Sequence, residues 1–175
     1  PGVLNQQSVD EELIKDELLL LLDKTLDDFL FARQREGQAL EQMILQRVNK
    51  MRSLIAGLLQ QVPELLQQQR IRLEEKLQGL TAELDNDRLE QEMVYLAQKA
   101  DVAEELDRLD THLDEINRTL GCDDAIGRRL DFLMQELNRE ANTLGSKSIA
   151  AVMTQTSVDM KVLIEQMREQ IQNIE

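Results

Sequence analysis

Apolar residues recur along this chain at the three- and four-residue spacing of a helix face, and no segment shows the two-residue alternation of a half-buried strand. From residue 9 to the mid-thirties, Leu13, Leu18 to Leu22, Leu26, Phe29 and Leu30 are apolar around more than one stripe. That pattern predicts a helix buried against two neighbours, in part through another subunit or another region. Ser8-Val9-Asp10-Glu11 has the form of a capping box at its start. Gly37 permits either a bend or an uninterrupted helix. Beyond it Leu40, Ile44, Val48, Met51, Ile55, Leu58 and Val62 form a near-heptad stripe, continued by Leu66, Leu73, Leu77, Leu80 and Leu84. This is coiled-coil spacing, and its length predicts a surface for another domain or another copy. Pro63 removes one helical hydrogen bond within it, and without Gly, Asn or Asp alongside to make a tight turn, a kink is favoured over a hairpin.

The turn-prone Asp85-Asn86-Asp87 is the best boundary, dividing a long-helix segment (1–86) from a C-terminal helical domain (87–175). Residues 88–99 form one helix. Asp101-Val102-Ala103-Glu104 reads as the cap of the next, whose Val102, Leu106, Leu109, Leu113 and Ile116 make a clean inward stripe. Gly121-Cys122-Asp123-Asp124 then stops one helix and caps another, with Gly suited to a left-handed C-terminal position. The second arm of this hairpin buries Leu130, Leu133, Leu137, Ala141 and Leu144. A connection over residues 145–155 leads to a last helix over 156–174, with Met160, Leu163, Met167, Ile171 and Ile174 inward. The fold class is all-α: long coiled-coil-like helices followed by a bundle built on a helical hairpin.

Composition agrees. Of 175 residues 42% are hydrophobic, only 2% are aromatic and just two are proline, which suits a helical chain with a sizeable core. A net charge of −14 argues against non-specific nucleic-acid binding, because a uniformly acidic surface repels phosphate. The charge is uneven, however: residues 127–148 hold four basic groups, Arg128, Arg129, Arg139 and Lys147, against Asp131, Glu136 and Glu140. The lone cysteine, Cys122, allows no intrachain disulfide and fits a reducing cytoplasm as a turn residue. The run Leu18 to Leu22 is too short to span a bilayer, so no membrane association is expected.

The polar face of 127–148 is unusual. Arg128, Asp131, Gln135, Asn138 and Asn142 fall at helical spacing beside Arg129, Glu136, Arg139 and Glu140. An ordinary solvated face is mostly Glu and Lys, whereas Asn is a poor helix former and Arg gives planar, bidentate recognition. This stretch, GRRLDFLMQELNREANTLGSKS, together with RLEQE at 88–92, DVAEELDRLDTHL at 101–113, REGQAL at 35–40 and the ending LIEQMREQIQNIE, resembles the YicC/YloC family of bacterial proteins. The resemblance covers essentially the whole chain. It implies an endoribonuclease of RNA turnover that needs a divalent metal and works as a homo-oligomer, a hexamer. Family members carry a longer, partly β N-terminal region, and since this chain begins at Pro1 it reads as a fragment without that region. The resemblance draws attention to Glu90, Glu92, Asp101, Glu105, Arg108, His112, Arg129, Glu136, Arg139, Glu140 and Lys147.

With a four-residue turn, antiparallel arms place facing positions at a sum of roughly 245. Glu105 is then expected near Glu140, Arg108 near Glu136, and His112 near Phe132 or Leu133. Asp101, Glu105, Arg108 and His112 share one helix face. The hairpin thus gathers Glu105, His112, Glu136 and Glu140 as candidate catalytic and metal-ligating residues, with Arg108, Arg128, Arg129, Arg139 and Lys147 as candidate RNA contacts. Carboxylates suit Mg²⁺ or Mn²⁺, and an imidazole among them favours Mn²⁺. A metal-free route through the RNA 2′-OH needs both an acid and a base near neutrality, and one His is few for that. No P-loop, dinucleotide fingerprint or zinc spacing is present, and aromatics for base stacking are nearly lacking. The leading reading is a metal-dependent endoribonuclease acting on single-stranded RNA in the cytoplasm. The alternative is a non-catalytic helical adaptor in RNA degradation, in which the same polar residues form a solvated face or the buried ion pairs of a subunit interface.

Overall fold

A computed structural model describes residues 11–78, 86–99, 101–122 and 124–172. Every regular element among them is a helix: α1 (Glu11–Gln78), α2 (Asn86–Lys99), α3 (Ala103–Leu120), α4 (Gly127–Ser146) and α5 (Ala151–Ile171). The capping box at residues 8–11 and the stripe positions Leu80 and Leu84 fall outside, or at the edge of, the described residues. Neither Gly37 nor Pro63 interrupts α1. Pro63 is tolerated because it and Leu59, whose carbonyl loses its helical donor, are both exposed, so water can take that acceptor. The chain therefore does not fold back at Pro63.

The chain forms two compact units, residues 1–40 and 41–175. In the first, Leu13, Leu18 to Leu22, Leu26, Phe29, Leu30 and Phe31 are exposed, so the expected burial between two neighbours is not made by this unit, whose described residues supply no second element. In the second unit Ile44, Val48, Met51, Ile55 and Leu58 are buried in one cluster with Val102, Leu106, Leu109, Leu113 and Ile116 of the α3 segment. The heptad-like stripe, expected to meet another domain or another copy, is thus consumed over 44–58 by helices of the same chain's C-terminal segment. α4 packs against both α3 and α5, closing a four-helix core with Leu130, Leu137, Leu144, Met153, Met160 and Met167. At the edge of this bundle Arg52 of α1 pairs with Asp110 and Asp114 of α3, and Gln69 Nε2 donates 3.0 Å to the Ile149 carbonyl.

Several local expectations are corrected. The N-cap of α3 is Val102, with no side-chain cap bond, so Asp101 does not cap it. Gly121 has φ −86°, and no described glycine adopts positive φ. The N-cap of α4 is Ile126, again without a side-chain bond, so Asp124 is not its N-cap; Asp123 lies outside the described residues. The connection after α4 is short, from Lys147 to Ala150, and α5 starts at Ala151. Met160, Met167 and Ile171 are buried and Leu163 is partly so, while Ile174 lies outside the described residues.

Candidate functional site

α3 and α4 bury their apolar stripes against each other and against the rest of the core, which leaves their polar edges side by side along one flank. α3 ends at Leu120 and α4 begins at Gly127, so the connection is longer than a four-residue turn. Away from the turn, residues of α3 meet α4 later along its length than a tight hairpin would give. Arg108 Nη1 lies 3.5 Å from Glu140 Oε1, not beside Glu136. Glu105, expected near Glu140, instead accepts from Lys147 Nζ at 2.8 Å through Oε1. Nearer the turn, Arg129 pairs with Glu115.

The same shift carries His112 past Phe132, which is exposed, to Glu136 and Glu140. One ligand atom from each of His112, Glu136 and Glu140 lies within 4.8 Å of the other two. Glu140 is buried, with its side chain 5% exposed, while His112 and Glu136 are half-buried, so the group opens to solvent on one side. One imidazole and two carboxylates on neighbouring helices form a donor set that fits a divalent cation of the Mn²⁺ or Mg²⁺ type. Of the four expected ligands, the structure brings three together and takes Glu105 elsewhere.

Glu105 belongs to a separate clasp. Its side chain is 7% exposed and its Oε2 has no hydrogen-bond partner. Lys147 Nζ also donates 2.8 Å to the Asp101 carbonyl, tying the end of α4 to the entry of α3. Arg108 spans two carboxylates, with Nη2 only 2.5 Å from Glu104 Oε1. The guanidinium is held above its ordinary pKa, by Glu104 first and Glu140 second. Glu104 was expected to complete a cap; the signal for its actual role is its four-residue spacing from Arg108. Arg128 and Arg139 are exposed and make no ion pair among the described residues. Glu90 and Glu92 are exposed on α2 and do not join the cluster.

These features define an all-helical bundle that presents an imidazole–carboxylate cluster with guanidinium groups at its edge. A family model described as endoribonuclease YicC-like, C-terminal, matches residues 58–175. A protein of Haemophilus influenzae named probable endoribonuclease YicC is 50% identical over 175 residues, all of this chain and 61% of that protein. A Clostridioides difficile protein of the same name is 36% identical over 174 residues, 94% of this chain and 59% of that protein. The chain belongs to the YicC-like family, and it spans about three fifths of the length of these relatives. No helix among the described residues is long and apolar enough to cross a membrane.

Proposed function

We propose that this chain carries the metal-binding helices of an endoribonuclease that cuts single-stranded RNA during bacterial RNA turnover in the cytoplasm. The observation that carries this reading is the convergence of His112, Glu136 and Glu140 within 4.8 Å in a chain whose relatives bear the name of endoribonuclease. His112, Glu136 and Glu140 would hold the cation. A divalent ion held there supplies Lewis acidity and positive charge toward a phosphodiester. Arg128 and Arg139, exposed and without ion pairs among the described residues, would take flanking phosphates. Arg129 and Lys147 act more as structural cations, because Glu115 and Glu105 already hold them. Homo-oligomer formation is part of the same proposal, supported by the exposed apolar row from Leu13 to Phe31.

The test is cleavage of an end-labelled single-stranded RNA by the purified protein, abolished by EDTA and restored by Mn²⁺ or Mg²⁺. Glu136→Gln keeps the shape of a half-buried side chain and removes its charge. Losing a ligand is expected to cost at least the roughly 10–100-fold seen for weaker outer-shell changes, with an unchanged melting temperature. The same variant controls for a contaminating nuclease. Cleavage that persists in EDTA, or that Glu136→Gln leaves intact, would remove the cluster from the chemistry, and an absence of cleavage under every metal condition would favour the adaptor reading.

A further inference from the structure

Glu140 is the most buried member of the cluster, and its ion-pair partner, Arg108, reaches it at 3.5 Å, the loose end of the range for such a contact. The other arm of the same guanidinium is tight. It lies 2.5 Å from Glu104, whose side chain is 69% exposed. Arg108 is therefore anchored from the solvent side and only leans on the carboxylate inside. Glu104, Arg108 and His112 follow one another at four-residue steps on α3, so the Arg108 side chain leaves the helix one turn from that of His112 whichever acid it contacts. Glu136 and Glu140 present like charges at short range, and the Arg108 charge relieves that repulsion. A divalent cation at the same carboxylates would supply that relief itself and would repel the arginine.

Resting on the metal reading above, we propose that Arg108 is an exchangeable counter-ion: it partners Glu140 until a divalent cation takes that carboxylate, and then turns its guanidinium, still held by Glu104, toward a phosphate of the RNA. No bond is made or broken in this exchange; one positive charge replaces another at Glu140, and the displaced one is retained at the rim. A guanidinium is charged with either partner, so the exchange needs no proton transfer. The geometry of a planar fork suits both roles, since it can span two carboxylates or take a phosphate in bidentate fashion.

The experiment measures Mn²⁺ binding by calorimetry and, in saturating Mn²⁺, binding of a 2′-O-methyl RNA, shown to stay intact on a gel, by fluorescence anisotropy. It compares the unaltered protein with Arg108→Gln and Arg108→Lys. Arg108 is half exposed, and both variants are checked by circular dichroism. Removing a cation that competes with the metal is expected to tighten Mn²⁺ binding in Arg108→Gln by roughly 3- to 10-fold, and loss of a phosphate contact to weaken RNA binding by about 10-fold. Arg108→Lys keeps the charge without the fork, so Mn²⁺ affinity is expected within about two-fold of the unaltered protein, with weakened RNA binding. Unchanged or weaker Mn²⁺ binding in Arg108→Gln overturns the exchange, because Arg108 would then support Glu140 as a ligand. Tighter Mn²⁺ binding with unchanged RNA binding overturns the phosphate step. If the unaltered protein binds no Mn²⁺, the metal reading fails and this proposal falls with it, a result distinct from either of the others.

Discussion

Gly145 of α4 sits against Ser157 of α5. A Cβ added there would lie 2.8 Å from Ser157 Oγ and 3.5 Å from Ser157 Cβ. The second distance is an ordinary contact, so the whole conflict is with the hydroxyl. That hydroxyl is not free to turn away without cost: it is buried and donates 2.7 Å to the Ala141 carbonyl. In Gly145→Ala the Ser157 side chain must rotate and leave its hydroxyl unpaired between two helices, which costs about 1–3 kcal/mol. Alanine returns at most about 1 kcal/mol of helix propensity, and less in the last turn of a helix. The net expectation is a loss of about 0.5–2 kcal/mol, seen as a fall in Tm of about 2–6 °C for a chain of this size.

The double variant isolates the cause. Ser157→Ala alone loses one buried hydrogen bond, about 1 kcal/mol. With Gly145→Ala added it also removes the clash, so the double variant is expected to be no less stable than Ser157→Ala, with a coupling of about 1–2 kcal/mol. Thermal melts of the four proteins give this directly. A Gly145→Ala protein more stable than the parent, with effects that add, would refute the close approach of α4 and α5 at this point.

Two further perturbations test other parts of the bundle. Lys147→Met leaves the Glu105 carboxylate buried without its partner and is expected to cost about 2–4 kcal/mol, below the fully buried case because Lys147 is partly exposed; a denaturant midpoint that does not move would deny the clasp its structural role. Pro63→Ala restores a backbone donor inside an uninterrupted helix and is expected to stabilise the protein by about 1–3 kcal/mol, whereas a lowered Tm would mean that α1 requires the distortion that proline imposes.

The inward stripes of α3 and α4 were legible because helical period alone fixes which residues a core can take: Leu106, Leu109, Leu113, Leu130, Leu137 and Leu144 are all buried. The gathering of His112, Glu136 and Glu140 was only partly legible. Its members share the facing polar edges, but the register depends on how the helices are joined: Glu115 and Arg129, near the turn, keep the spacing of a tight hairpin, while the partners of Arg108 and Glu105 lie one and two turns further along α4. The role of Glu105 was hidden for a different reason. Its partner Lys147 comes from the far end of the hairpin, and the same lysine occupies the Asp101 carbonyl, so the local cap suggested by Asp101 gives way to a tertiary bond. The early start of α5 was missed because Thr154, Thr156 and Ser157 are poor helix formers. Ser157 and Thr156 are nonetheless buried, their hydroxyls satisfied by the carbonyls of Ala141 and Val152.

The charge distribution over the hairpin bears on how a cluster of acids could serve RNA, as proposed. The chain carries a net charge of −14, and the locally basic stretch 127–148 is less basic in three dimensions than in sequence. Arg129 is matched by Glu115 and Lys147 by Glu105, while Arg108 is shared between Glu104 and Glu140. Arg128 and Arg139 remain, on a surface that also holds Glu136. A phosphodiester approaching His112, Glu136 and Glu140 would thus meet little net positive charge from the described side chains, and electrostatic steering would be weak. A divalent cation at those carboxylates would make the balance positive where, among the described residues, an imidazole and two acids converge, without a permanently basic surface that would bind any polyanion. On the proposed reading, affinity for RNA is therefore conditional on the cation, and the acidic composition that argues against indiscriminate nucleic-acid binding is compatible with a nuclease for the same reason.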